Sequence, residues 1–109
     1  MNKDLQNIVS NVRVLYQKYG IKSITMDDVA RELGISKKTL YQHIKDKTEL
    51  VEKVLQADIE ERNVFLDNLL EKNLNAIDEL FEINKHVNHI LQKHNPSTFY
   101  DLKKYYPSL

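Results

Sequence analysis

Helix-breaking residues are almost absent from this chain, and their scarcity constrains its fold more than any other feature. Only Gly20, Gly34, Pro96 and Pro107 interrupt its 109 residues. Strand-rich folds need frequent turn residues, so such sparse punctuation favours an all-α protein. The apolar spacing agrees. Leu5, Ile8, Val9, Val12, Leu15, Tyr16 and Tyr19 recur at i, i+3, i+4 and i+7, which places them on one stripe of a first helix. Gly20 closes that helix, because a glycine just past the last periodic residue can take the left-handed conformation of a helix end.

Beyond a short link, Thr25-Met26-Asp27-Asp28 reads as a capping box with Asp in the usual Glu place, and its two acids suit the positive start of a second helix. Val29, Ala30 and Leu33 allow this helix only a brief run before Gly34. Ser36 can cap a third helix carrying Leu40 and Ile44, and Asp46 or Thr48 a fourth. The fourth is long: Leu50, Val51, Val54, Leu55, Ile59, Phe65, Leu66, Leu69 and Leu70 keep helical spacing, with Asp58, Glu60, Glu61 and Arg62 thinning the stripe at its middle. It therefore outruns the first core. A fifth helix is expected from residue 73 to about 93, on Leu74, Ile77, Leu80, Phe81, Val87, Ile90 and Leu91, ended by Asn95-Pro96-Ser97. Phe99, Leu102, Tyr105 and Tyr106 open one more periodic segment. It either begins packing that further sequence would complete, or folds back as a terminal brace.

Composition removes several functions. The chain has no cysteine, so disulfides, thiolate metal sites and a cysteine nucleophile are excluded. No apolar run reaches membrane-spanning length, and residues 1–15 lack the apolar core of a signal peptide. A soluble, cytoplasmic protein with no membrane partner is the expectation. His86, His89 and His94 wind onto different sides of a helix without a carboxylate at a matching position, so neither a metal nor a cofactor is expected. Glu60, Glu61, Glu79 and Glu82 read as a solvated face. An enzyme is not expected. The 16 basic and 16 acidic residues cancel, but unevenly: residues 1–50 hold nine basic and six acidic side chains, residues 51–109 seven and ten.

The basic half contains the most informative stretch, residues 26–44. Ala30 is small enough for two helices to cross, Gly34 four positions later makes a tight turn, and Val29, Leu33, Ile35, Leu40 and Ile44 supply an inner side, as a helix-turn-helix requires. Small residues and turn glycines also occur in any helical hairpin, so the outward face must decide. At about 100° per residue, placing Leu40 inward puts Lys38 and Gln42 opposite it, with Thr39, Tyr41, His43 and Lys45 on the flanks. Residues 35–47 hold four lysines against one aspartate. Lys38 and Gln42 can read base edges, while Tyr41, His43 and Lys47 can hold phosphates. The competing reading is a helical protein-protein interaction module without DNA binding, its surface formed by Phe65, Leu66, Leu69, Leu70, Phe81, Tyr100, Tyr105 and Tyr106. It leaves the lysine-bearing third helix unexplained.

Ile24-Thr25, Val29-Ala30, Leu33-Gly34-Ile35-Ser36, Thr39-Leu40-Tyr41, His43-Ile44 and Lys47, leading into Leu50 and a long helix, resemble the DNA-binding domain of the tetracycline-repressor (TetR) family. The resemblance implies a helix-turn-helix DNA-binding domain over residues 1–48, and over residues 49–109 a connecting helix and the truncated start of a helical regulatory, ligand-binding domain. It further implies double-stranded DNA as partner, a palindromic operator, a homodimer of the complete protein and a small-molecule effector of unknown identity. By position, Thr25, Tyr41, His43 and Lys47 match phosphate-contacting sites, and Lys37, Lys38 and Gln42 the variable reading positions. Ser36, Thr39 and Lys45 complete the expected DNA-binding set. Two positions depart from the pattern. Asp27 stands where some relatives place a basic residue, and is assigned to the helix start; Ile44 replaces a frequent aromatic, a change expected to affect packing.

Overall fold

The computed structural model describes residues 3–109. Six helices follow in order: α1 Lys3–Tyr19, α2 Met26–Leu33, α3 Lys37–His43, α4 Lys47–Glu71, α5 Ala76–Lys93 and α6 Ser97–Tyr105. No strand occurs among the described residues.

Local chemistry sets most of these boundaries. Gly20 lies at φ 85° and donates its amide to the Tyr16 carbonyl, ending α1. Gly34 lies at φ 68°, with its amide on the Arg31 carbonyl and that of Ile35 on Ala30. This is the paired bonding of a Schellman end, in which the left-handed residue costs glycine nothing. Asp46, not Thr48, caps α4, its carboxylate accepting the Glu49 amide at 2.9 Å. The fifth helix starts later than the periodicity predicts. Asn73 sits at φ 53° just beyond α4, and Asn75 accepts the Asp78 amide at 2.9 Å as the new cap, so Leu74 belongs to the link.

A single core joins α1 to α4. Val12, Val29, Leu40, Ile44 and Leu50 are fully buried, with Ile8, Val9, Tyr16, Ile21, Ile24, Ala30, Val51 and Val54 around them. Each comes from the inner stripe of its helix, and burial of a Leu or Ile side chain is worth about 1.5–3 kcal/mol. α4 runs past this core, giving the molecule a long axis of 52 Å against 29 and 25 Å. At the point where α4 leaves it, Arg13 of α1 reaches Asp58 (2.6 Å) and Glu61. Two of the acids that thin the apolar stripe, Asp58 and Glu61, therefore form an ion-pair clamp. α5 buries none of its residues, and Ile77, Leu80 and Phe81 are exposed.

α6 folds back onto α1 as a brace, but polar residues anchor it. Phe99 and Tyr105 remain exposed, whereas Thr98 and Asp101 are buried. Asp101 Oδ2 accepts the amides of Ile21 (3.2 Å) and Lys22 (3.0 Å). Thr98 Oγ1 donates to the Tyr16 carbonyl, the Asn95 amide to that of Gln17, and Asn95 Nδ2 to that of Lys18. The last carbonyls of α1, which an isolated helix leaves unpaired, are thus satisfied from α6 and its approach.

Candidate nucleic-acid interface

The start of α2 is the most tightly specified part of the surface. Thr25 Oγ1 accepts the Asp28 amide at 3.1 Å, and the Thr25 amide donates to Asp28 Oδ2 at 2.9 Å. Arg31 donates to the other carboxylate oxygen at 3.0 Å. These contacts, first the Thr25 backbone amide and then its side chain, hold the Asp28 carboxyl below its ordinary range. Asp27 pairs with Lys37 at 2.9 Å, so the acid of unexpected sign at this edge is neutralised by the first residue of α3. The pair also ties the beginning of α2 to that of α3.

Ser36 caps α3. Its Oγ accepts the Thr39 amide at 3.1 Å and donates to Thr39 Oγ1 at 2.9 Å, which rigidifies the first turn of a seven-residue helix. With Leu40 and Ile44 locked in the core, Lys38, Tyr41 and Gln42 face solvent, Tyr41 at 46% exposure. Lys37 and Lys45 are also exposed, while Thr39 and His43 are half-buried. Lys38, Tyr41 and Gln42, expected on the outward face of α3, are therefore all exposed there.

Lys47 is placed differently from its neighbours. Its ammonium donates to the Ile21 carbonyl at 2.8 Å, and burial lowers its pKa against the opposing pull of Asp101 and Asp28. It anchors the turn between α1 and α2 while standing at the N-terminus of α4. Its partner lies 26 residues away, and no local sequence signal points to it.

His86 and His94 make contacts within the helical body. His86 stacks on Phe65 with centroids 3.8 Å apart, and His94 Nδ1 donates to the Ile90 carbonyl at 2.8 Å. A cavity of about 300 Å³ lies between α1, α4, α5 and α6, lined by Tyr16, Val54, Ile59, His89, Ile90 and Leu102 among others. The Tyr16 hydroxyl is buried and has no hydrogen-bond partner among the described residues. Burial raises its pKa, and the proximity of Tyr106 adds to the rise. The periodicity had marked Tyr16 only as core.

Residues 8–54 match the family described as bacterial regulatory proteins, tetR family. Over 55 residues the chain is 40% identical to an HTH-type transcriptional regulator of Staphylococcus aureus strain USA300, and equally to those of strains NCTC 8325 and COL. The aligned stretch is 50% of this chain but 30% of each relative, so the chain spans well under two thirds of their length. No solved structure matches the chain.

Proposed function

We propose that the protein is a transcriptional regulator that reads duplex DNA through α3, a reading supported by the match of residues 8–54 to the family described as bacterial regulatory proteins, tetR family. The supporting observation is the outward face of this helix. Lys38, Tyr41 and Gln42 are presented to solvent while Leu40 and Ile44 are fixed in the core. Lys38 and Gln42 have the hydrogen-bonding capacity to discriminate bases in a major groove. Thr25, Ser36, Lys37, Thr39, Tyr41, His43, Lys45 and Lys47 surround them as position-setting contacts, chiefly to phosphates. Two copies of the complete protein would bring two such helices to successive turns of a near-palindromic operator.

The effector is the second part of the reading. The cavity between α1, α4, α5 and α6 stands at the lower end of small-molecule pocket volumes. It touches both the DNA-reading head and the long helix, so a ligand there would alter the angle of α4 and the spacing of the two heads. Head spacing that is identical in ligand-free and ligand-bound dimers overturns this part.

The test of the DNA reading is selection of bound duplexes followed by affinity measurements over a salt series. Lys38→Ala with Gln42→Ala relaxes sequence preference, and Lys47→Ala weakens binding evenly on all sequences. Absence of salt-sensitive duplex binding at low ionic strength overturns it.

A further inference from the structure

A second group of lysines lies outside α3, where α6 meets the turn between α1 and α2. Lys22, in the turn between α1 and α2, places its ammonium 4.9 Å from the centroid of the Tyr105 ring. Lys104 of α6 lies 5.4 Å from the same centroid and 5.4 Å from that of Tyr100. Two cations from opposite ends of the chain thus meet on one exposed ring. Two like charges are expected to separate, yet here both are drawn to the negative face of the ring. The Tyr105 phenol is correspondingly pulled below its ordinary pKa, chiefly by its hydrogen bond to Lys22.

The meeting is fixed by backbone contacts. Asp101, three residues before Lys104, takes the Ile21 and Lys22 amides together, so the turn and α6 are held as one unit. Lys22 is three residues from Thr25, the cap of α2, and the Asp27 to Lys37 pair joins the start of α2 to that of α3. The turn that carries Lys22 therefore leads directly into the helix that is tied to α3.

We propose that Lys22 and Lys104, held on Tyr105, form a backbone-phosphate contact on duplex DNA that lies outside the helix-turn-helix and flanks it. The inference rests on the DNA-binding reading above. A phosphate supplies an anion that two exposed ammoniums gathered at one ring can share, and the ring holds both lysines before DNA arrives, so less side-chain freedom is lost on binding. The contact carries no base information and acts evenly on all sequences.

The experiment measures duplex binding by the protein, on its selected sequence and on a scrambled one, across a salt series. Lys104→Ala, a change at an exposed position, lowers affinity about three- to ten-fold on both duplexes at moderate salt and reduces the slope of log affinity against log salt by about one. Lys104→Arg keeps the slope, Tyr105→Leu lowers affinity on both duplexes, and Lys85→Ala on α5 leaves binding unchanged. If Lys104→Ala keeps the full affinity and slope while Lys38→Ala with Gln42→Ala relaxes sequence preference, the α6 contact is overturned and the DNA reading stands. If the unaltered protein shows no salt-sensitive duplex binding, both fall.

Discussion

At the scale of single residues, Thr25 works through two different atoms. Its hydroxyl accepts the Asp28 amide while its own amide donates to the Asp28 carboxylate, so removing the side chain breaks half the box and leaves the other half. Thr25→Ala should cost about 1 kcal/mol in a urea titration, and should also weaken duplex binding. Asp28 sets the pH dependence. Its carboxyl is held below its ordinary value in the folded head, so its contribution is fully present above the ordinary carboxylate range and is lost as pH falls through the depressed value. Asp28→Asn should therefore flatten the acid limb of a stability-pH curve, while leaving the chain less stable than the parent at neutral pH. Such caps were legible in the sequence because donor and acceptor are three positions apart. The anchoring of Lys47 to Ile21 was not, since nothing local encodes a partner 26 residues away.

At the scale of elements, α6 shows why periodicity can find a helix without saying how it docks. Its apolar spacing drew attention to Phe99 and the tyrosines, yet the buried side chains are Thr98 and Asp101. Both face backbone groups of α1 and the following turn, so hydrogen-bond demand at a helix end outweighs the aromatic pattern. Asp101→Ala leaves the Ile21 amide buried without its partner and should cost about 1–3 kcal/mol in denaturant unfolding. Asp101→Asn, which keeps an acceptor, should cost less. Gly20 marks the closest approach. A Cβ there would lie 2.3 Å from Ser97 Oγ, on a backbone at φ 85°. Gly20→Ala should accordingly destabilise by about 1–3 kcal/mol, and Ser97→Ala in the same chain should restore part of that loss, since it removes the clash but not the backbone strain. The later start of α5 has a similarly local cause: Asn73 takes the left-handed conformation, which apolar spacing alone does not reveal.

At the scale of the whole molecule, the cancelling charges resolve into a basic half, residues 1–50, and an acidic half, residues 51–109. Arg13 crosses between them, bound to Asp58 and Glu61, and its hydrogen bond to Glu61 keeps that carboxyl below its ordinary range. Arg13→Met, which preserves the apolar stem, should lower stability by about 1 kcal/mol at neutral pH. The difference from the parent should shrink as pH falls through the lowered carboxylate range, because the parent loses there the ion pair that the variant lacks at every pH. Helical class and the outward face of α3 were legible because their signals recur within a few residues: Leu40 and Ile44 inward oblige Lys38 and Gln42 outward. The Arg13 clamp and the cavity around Tyr16 were not, because α1 meets α4 and α6 only in the folded chain.

The shared carboxylate of Asp101 has a consequence for the time domain. The Ile21 and Lys22 amides, both in the turn between α1 and α2, are released by the same event, the departure of α6. Deuterium should enter these two neighbouring positions in step, at a rate set by the opening of the brace. The pair is thus an internal clock for the docking of α6: anything that tightens α6 against α1 would slow both amides together, and anything that loosens it would quicken both.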